Sequence, residues 1–298
     1  MSTMSNDDEA VANRLRMHVE RLAGDIGERH VFAPAALQRA ASYISDEWAK
    51  VGYIVEPQEY DVLGISCANL VATRKGRARK TEIVLLGAHY DSVMRCPGAN
   101  DNASGVAALL EISRLFQTVE PELTVRFVAF VNEEPPFFLT NQQGSMVYAR
   151  AARRRGDNIR FMASLETMGY YSDEPQSQMY PPLFGLFYPD RGNFIGIVSD
   201  FRSRNAMRRL AEAFRAKSDF PLQTTSTFRF IPGVSWSDHR SFWRHGYRAV
   251  MVTDTAFYRY RHYHAPSDTP ERLTYCAFAQ VTRGLFDAFA VVARDGVD

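Results

Sequence analysis

The sequence has almost no net charge, because 35 lysines and arginines oppose 34 aspartates and glutamates. It therefore lacks the charge excess that draws proteins to nucleic acids or anionic membranes. It also has no apolar run of the roughly 20 residues that cross a bilayer. Its first ten residues, MSTMSNDDEA, are polar and acidic, unlike those of a signal peptide. These absences predict a soluble cytoplasmic protein with neither nucleic acid nor membrane as a partner.

Cysteine is also scarce, since only Cys67, Cys96 and Cys276 occur, at unrelated spacings. An odd number at such spacings favours neither a disulfide framework nor a cysteine zinc site. Internal repeats and Gly/Ser linkers are missing, and 298 residues fit one large α/β domain. We predict a single catalytic domain over residues 1–298, with a disordered tail over Met1–Asp8. The sequence leaves the oligomeric state open.

Strand-like and helical periodicities alternate along the chain after residue 52. The apolar segments IVLL and VRFVAFV are typical of strands buried on both faces of a parallel sheet. We therefore predict a three-layer α/β/α fold, with a mostly parallel mixed central sheet and helices on both faces. The predicted helices cover 9–22, 34–52, 104–116, 144–154, 205–217 and 275–294, and the predicted strands cover 69–74, 83–88, 125–131, 161–165, 194–199 and 249–253.

Residues 170–193 interrupt this alternation. They mix Tyr, Phe, Pro, Ser and Gln without a steady period and are longer than an ordinary connection. We expect this segment and residues 228–236 to form an apolar pocket for a substrate side chain. For the tyrosines, including Tyr170, covering the edge of the core is the alternative.

Histidine and acidic residues follow several predicted strands, at the carboxyl ends where open α/β sheets place their sites. In GAHYDS, His89 and Asp91 are two residues apart and project to the same side of an extended chain. Asp91 can accept the second ring N–H of His89 and orient it as a metal ligand. Buried His–Asp pairs also occur for purely structural reasons.

The following loop and the other strand ends add further candidate ligands. Asp101 lies in PGANDNASG, although Asn and Asp there also suit turns and helix caps. Glu133 and Glu134 in VNEEPP repel each other, which implies a positive partner unless water solvates the pair. If extended, one could bind metal while the other moves a proton. Glu166 and His264 add two more ligands, so five residues with oxygen or nitrogen ligand atoms follow the ends of four predicted strands. Such a set favours a metal site over a separate structural role for each residue.

Six segments resemble the motifs of the co-catalytic two-zinc aminopeptidases, the leucyl-aminopeptidase-like metallopeptidases of the zinc exopeptidase superfamily. They are GAHYDS, PGANDNASGVAALLE, NEEPP, LETMGYYS, SDH and YHAPSDTPE, and the resemblance covers nearly the whole chain. It implies a zinc-exopeptidase fold, of the phosphorylase/hydrolase-like kind.

The resemblance also implies the role of each site residue. Asp101 would bridge two metals, with His89 and Glu166 on one, and Glu134 and His264 on the other. Glu133 would be the general base, and Asp91 would orient His89. His264 is preferred to His262 because only His264 matches the family's YH-x-P-x-D-T position. Many relatives have aspartate where this chain has Glu166, and the family often has a cis peptide after its bridging aspartate, here Asp101–Asn102.

The activity that the resemblance implies is removal of the N-terminal residue from a peptide or small amide, by a water activated by two zinc ions. Mixed imidazole and carboxylate ligation suits Zn²⁺, with Co²⁺ or Mn²⁺ as possible substitutes. Asp238 and His239 of SDH, together with Tyr170, are expected behind the ligands or near the substrate, and a helix start is the alternative for Asp238. Two other functions stay open: a glutaminyl-peptide cyclotransferase with one zinc on the same scaffold, and a non-catalytic interaction domain.

Overall fold

A computed structural model of the protein describes residues 6–297 and contains one eight-stranded mixed sheet in the order β1-β2-β4-β3-β5-β8-β6-β7. The central strands β4, β3, β5 and β8 are parallel, whereas β1–β2, β2–β4 and β8–β6 pair antiparallel. The predicted fold class is therefore confirmed. The strands are β1 (Val55–Val62), β2 (Ile65–Arg74), β3 (Arg79–His89), β4 (Leu123–Phe130), β5 (Asn158–Glu166), β6 (Ile195–Ser199), β7 (Leu222–Ser226) and β8 (Ala249–Thr253).

Alternate side chains of the central strands enter two hydrophobic cores, one on each face of the sheet. In β3, Val84 and Leu86 belong to the larger core, whereas Ile83 and Leu85 belong to the smaller one. Helices cover both cores, and this burial explains why the central strands are apolar throughout. The helices α1 (Asn6–Val19), α2 (Pro34–Lys50), α3 (Gly105–Phe116), α5 (Arg204–Arg215) and α7 (Tyr275–Asp295) line the larger core, and α4 (Gly144–Arg155) and α6 (His239–Arg244) line the smaller.

The first helix begins earlier than predicted. Helix α1 starts at Asn6 and continues as π-helical turns over Glu20–Ile26, so the tail predicted over residues 1–8 overlaps the helix. Met1–Ser5 lie outside the described residues. Three elements, β1, β7 and α6, were not predicted from the sequence. Strand β1 (VEPQEYDV) is polar and lies at the edge of the sheet with half of its residues exposed, so it lacks an apolar pattern.

Helix α7 is long and apolar enough to cross a bilayer by length and composition alone, which corrects the expectation that no segment would meet this test. More than half of its apolar stretch is buried in the protein. Side chains such as Phe278, Leu285 and Phe289 are fully buried and belong to the larger core. The same apolar composition therefore suits a core helix.

A buried carboxylate connects α1 to α3. Glu111 is fully buried and accepts hydrogen bonds from Arg14 (Nη2, 2.8 Å) and Arg114 (Nη2, 2.8 Å; Nε, 2.8 Å). Burial acts to raise the pKa of Glu111, but the two guanidinium groups outweigh it and hold this pKa below its ordinary value of 4.5. The ionised form therefore stabilises the fold.

We predict that Glu111→Gln lowers the free energy of unfolding of the metal-free protein by about 2–3 kcal/mol at pH 7, because the two arginines lose their charged partner. The folded-state pKa is depressed, so the stabilisation is present above pH of about 4.5 and is lost as the pH falls through that pKa. Urea titration at several pH values measures both effects. The exposed Glu212→Gln serves as the control, and an equal effect of the two substitutions would contradict the account.

Candidate metal centre

The parallel strands bring the candidate ligands to one edge of the sheet. His89 is the last residue of β3 and Glu166 the last residue of β5, the neighbouring parallel strand. Glu133 and Glu134 follow the end of β4, and His264 lies in the loop after β8. Since parallel strands end at the same edge, the topology converges these segments on one cleft.

Two triads of possible metal ligands share one aspartate. The ligand atoms of His89, Asp101 and Glu166 lie within 4.8 Å of one another, and so do those of Asp101, Glu134 and His264. These are the two sets that the motif resemblance assigned to separate metals. All of these residues are buried except His264, which is more exposed.

The ligand atoms of this cluster lie close together, yet several of them have no hydrogen-bond partner within residues 6–297. Asp101 Oδ1 lies 3.2 Å from His89 Nε2, and Asp101 Oδ2 lies 2.9 Å from His264 Nε2. Nevertheless His89 Nε2, Asp101 Oδ1 and Glu134 Oε1 are buried without a hydrogen-bond partner among the described residues. Buried polar atoms are rarely left unpaired. Imidazole nitrogens and carboxylate oxygens aimed at common points fit divalent cations of the zinc kind.

Glu133 has a position of its own. With His89 and Glu134 it forms a third possible triad, but its Oε2 lies 4.0 Å from His89 Nε2, farther than the nearest oxygens of Asp101 and Glu166. Its Oε1 accepts a hydrogen bond from Gln143 Nε2 at 3.3 Å. Glu133 thus lies beside the two triads that share Asp101, and the neutral amide of Gln143 holds its carboxylate in place.

Asp91 supports three site residues. Its carboxylate lies 3.5 Å from His89 Nδ1, whose hydrogen bond at 3.2 Å goes to the backbone carbonyl of Asp91. The same carboxylate accepts the backbone N–H groups of Glu133 and Glu134, both at 3.1 Å. Asp91 therefore fixes the Glu133–Glu134 backbone, a role that the sequence did not indicate.

The Asp101 loop is fixed from behind by two residues that were not singled out from the sequence. Asp268 accepts the backbone N–H groups of Asn100 (2.8 Å) and Asp101 (3.1 Å). Asp254 accepts from the Asn100 side chain at 2.8 Å. The Asp101–Asn102 peptide is cis, as the resemblance predicted. The signal for Asp268 was its place in YHAPSDTPE, four residues after His264.

Glu166 stands where the motif resemblance led us to expect an aspartate in many cases, and a pair of serine hydroxyl groups holds its longer side chain. Ser237 Oγ donates to Glu166 Oε2 at 2.7 Å, and Ser164 Oγ lies 2.9 Å from Ser237 Oγ. Glu166 Oε2 remains 3.5 Å from His89 Nε2. The glutamate therefore reaches the same triad, with Ser237 fixing its orientation.

The cluster concentrates negative charge away from water. Burial and the charge of Asp101 raise the pKa of Glu134 to about 7. Burial also acts to lower the pKa of His264, but Asp101 and Glu134 outweigh it and raise this pKa to about 10. Without cations, the His264 imidazole is therefore protonated at neutral pH and the Glu134 carboxyl group is partly so. Cations would replace those protons, which is how metal ligands normally behave.

Asp238, His239 and Tyr170 lie at different distances from the ligands. Asp238 is fully buried, both its oxygens lack a hydrogen-bond partner among the described residues, and burial raises its pKa to about 7. It precedes α6 without capping it by a side-chain hydrogen bond. His239 Nε2 contacts the carbonyl oxygen of Val234 at 2.8 Å and so supports residues 231–236. The Tyr170 backbone N–H donates to Asp254 at 3.0 Å, behind the Asp101 loop.

An apolar cleft opens beside the triads and includes Glu166 in its wall. The segments 178–188 and 231–236 form its sides, which is where the sequence placed a substrate pocket; Tyr170 is not part of its wall. Its floor is one face of β6 and β8, with Gly196, Val198, Met251 and Thr253.

Tyr263 was missed in the sequence and lies between the cleft and the triads. Its ring stacks on His264 with centroids 3.9 Å apart, and it lines the cleft. Burial and the charges of Asp101, Glu134, Glu166 and Glu133 raise its pKa well above the ordinary value, so the phenol keeps its proton. The only signal for it was its place directly before His264.

The chain is similar in sequence to several known proteins. The uncharacterized protein YfbL of Escherichia coli is 41% identical over 258 residues, which cover 84% of this chain and 78% of YfbL. A probable aminopeptidase of Saccharomyces cerevisiae is 25% identical over 235 residues, which cover 72% of this chain. The chain spans about half the length (54%) of that yeast protein.

Solved structures share the fold at low sequence identity. A zinc aminopeptidase from Bacillus subtilis superposes with a TM-score of 0.75 at 16% identity, covering 94% of each chain. A glutaminyl cyclase from Fimbriiglobus ruber superposes with a TM-score of 0.67 at 19% identity, covering 94% of this chain and 95% of the cyclase.

The sequence pattern of peptidase family M28 matches residues 69–288 of this chain. This region contains all five candidate ligands, Glu133 and Asp91. The family and the hydrolase class expected from the motifs are confirmed: this chain belongs to peptidase family M28.

Proposed function

We propose that this protein is a zinc-dependent aminopeptidase that removes the N-terminal residue from peptides. The observation that carries the proposal is the pair of buried triads sharing Asp101, with Glu133 beside them and an apolar cleft adjacent. Membership of a peptidase family supports the reaction class, and the fold shared with a zinc aminopeptidase supports the metal. We also propose that residues 6–297 act as one catalytic domain, since all eight strands belong to one sheet.

The donor set defines where two zinc ions would be held. His89, Asp101 and Glu166 would hold one, and Asp101, Glu134 and His264 the other. When bound, the ions supply Lewis acidity towards the scissile carbonyl and lower the pKa of a coordinated water. Asp91 holds the Glu133–Glu134 segment next to the end of β3, because its carboxylate accepts the backbone N–H groups of both glutamates.

Glu133 is the residue placed to move the proton. It lies beside both triads, and Gln143 fixes its Oε1. Its carboxylate would take a proton from the attacking water and deliver it to the leaving amine. Tyr263 keeps its phenolic proton beside the carboxylates and can donate a hydrogen bond to the substrate carbonyl oxygen.

The cleft selects the substrate side chain. Its walls are mostly aromatic and aliphatic, with Phe194, Met251 and Tyr188 among them, so they favour an apolar N-terminal residue. Glu166 lies in the cleft wall and presents a carboxylate to the free α-ammonium group. A free N-terminus and an apolar first side chain therefore define the substrate class.

Glutaminyl-peptide cyclisation is the alternative chemistry on this fold, as the shared architecture with a glutaminyl cyclase indicates. Two observations favour hydrolysis. The triad of His89, Asp101 and Glu166, which would hold the additional zinc ion of a two-zinc enzyme, is complete here. The cleft is also predominantly apolar, whereas a glutamine side chain needs polar partners.

We predict that Glu133→Gln lowers kcat for an N-terminal leucine peptide by about 10²–10⁴-fold, because the amide cannot accept the proton. The zinc content should stay unchanged, since the amide keeps the size of the glutamate and its hydrogen bond with Gln143. The rate of leucine release in a stopped assay gives kcat, and elemental analysis gives the zinc content. The exposed Glu120→Gln should behave like the parent protein, and a Glu133→Gln variant with near-parental kcat would rule out this base.

A comparison of two nearby histidines tests the ligand assignment. The parent protein should contain two zinc ions per chain, and His264→Ala should retain one and lose nearly all activity. His262→Ala should retain both ions, because His262 contacts Ser267 (2.8 Å) and belongs to neither triad. Elemental analysis after gel filtration reads the stoichiometry. Loss of zinc in His262→Ala but not in His264→Ala would reverse the assignment.

A third prediction concerns the cleft floor. Val198→Phe fills space on the face of β6 that lines the cleft, so it should raise KM for N-terminal leucine or phenylalanine peptides about 10-fold or more. The N-terminal alanine peptide, which needs little of the cleft, is the control and should be affected less than threefold. An equal rise in KM for all three peptides would contradict the assignment of this cleft.

A further inference from the structure

Arg29 is a fully buried arginine that none of the motifs includes. It lies between the π-helical turns of Glu20–Ile26 and helix α2, outside the 69–288 region matched by the family. Within residues 6–297 it forms no ion pair with a carboxylate. Its partners are therefore an unusual set for a buried charge, which is normally paired.

The guanidinium group of Arg29 donates only to backbone carbonyl groups, from three segments. Its Nε donates to Tyr90 O at 2.7 Å, and its Nη2 donates to Gly98 O at 2.8 Å. Its Nη1 donates to Gly27 O at 3.1 Å and also to Pro97 O. One side chain thus connects the N-terminal segment, the residue after His89 and the loop that leads to Asp101.

The backbone of Arg29 strengthens this connection. Its N–H donates to Ser92 Oγ at 3.1 Å, and its carbonyl oxygen accepts the Ser92 N–H at 2.9 Å. Gly98 leaves little room, because a Cβ there would lie 2.4 Å from Asp101 O and 3.3 Å from Arg29 Nη2. The chain therefore passes between the Asp101 backbone and the Arg29 guanidinium group at Gly98 without room for a side chain.

The chemistry of the site explains why an arginine is used. A guanidinium group has five N–H donors in a rigid fork, whereas an ammonium group has three. Burial lowers the pKa of Arg29 to about 10, and the charges of Asp268, Asp91 and Asp101 oppose this effect, so the side chain stays protonated at neutral pH. The carboxylates of the candidate metal centre thereby stabilise the cation from a distance.

We propose that Arg29 is a positioning residue for one of the two metals, the one that His89, Asp101 and Glu166 would hold. It sets the separation between the His89 segment, through Tyr90, and the Asp101 loop, through Gly98. Asp101, which both triads share, is also held by Asp268, which accepts its backbone N–H group and that of Asn100. Glu134 and His264 lie on other segments that Arg29 does not contact through any described hydrogen bond. Loss of the Arg29 contacts should therefore displace His89 relative to Asp101 and leave the other triad in place. The inference rests on the proposed two-metal centre and adds that a segment outside the matched family region completes it.

The test measures zinc affinity in two single-site backgrounds of the full chain. His264→Ala leaves the His89, Asp101 and Glu166 triad, and His89→Ala leaves the Asp101, Glu134 and His264 triad. We expect Arg29→Lys to weaken zinc binding about 10- to 100-fold in the first background and less than threefold in the second. A chelating dye in competition with the protein gives the affinities, and far-UV circular dichroism confirms that each variant is folded.

A matched control separates positioning from general stability. Arg126→Lys also replaces a guanidinium group that is partly buried and donates to Asp157 and Tyr148 from the middle of β4. It should lower thermal stability and leave both zinc affinities within threefold. If Arg29→Lys does not fold, Ser92→Ala removes the acceptor of the Arg29 backbone N–H group and should show a smaller loss of zinc affinity that is selective in the same way.

Two results would overturn the role of Arg29: unchanged zinc affinity in the His264→Ala background, or equal weakening in both backgrounds. A different result would contradict the proposed function instead. If the parent chain binds no zinc at any concentration tested, the two-metal centre itself fails, whatever the Arg29 variants do.

Discussion

Crowded negative charge at the carboxyl edge of the sheet is the constraint on which the rest of this structure depends. Six carboxylates are buried together there, and each would be costly to keep ionised without positive partners. The protein supplies two imidazoles in contact and one guanidinium at a distance. Cations would neutralise the remaining negative charge, and the facing ligand atoms of the two triads that share Asp101 point to where such cations would bind. The six buried carboxylates are those of Asp91, Asp101, Glu133, Glu134, Glu166 and Asp238.

The surrounding hydrogen bonds can be understood as ways to hold that charge in place. Backbone N–H groups point at Asp91 and Asp268, so these carboxylates fix the segments that carry the ligands. Ser237 orients Glu166, and Gln143 orients Glu133. None of these supports binds metal in either triad, yet ligand geometry depends on them, as is common around metal sites.

Much of the site was predictable because its residues follow apolar strands. The periodicity located β3, β4, β5 and β8, and the rule that parallel strands end at one edge then brought His89, Glu134, Glu166 and His264 together. The edge strand β1 and the short α6 escaped because polar or short segments carry no strong period. Arg29 escaped for a different reason. Its guanidinium group donates to backbone carbonyl groups that are mostly far away in sequence, and no local pattern reveals such partners.

Some predictions from the sequence remain predictions, including the cytoplasmic location and the roles of the individual site residues. The structure shows where those site residues lie and which segments hold them. The N-terminal helices are built into the same core as α3 and α7, and their connection to α2 carries Arg29 to the metal loops. The apolar cleft, with Glu166 and Tyr263 in its wall, opens beside the two triads.

The most direct test of the two-metal centre is a crystal structure of the zinc-loaded protein with anomalous scattering measured at the zinc absorption edge. The account predicts two anomalous peaks on either side of Asp101, one contacting His89 and Glu166 and the other contacting Glu134 and His264. A single peak confined to Asp101, Glu134 and His264 at saturating zinc would contradict it and would favour one-metal chemistry of the cyclotransferase kind.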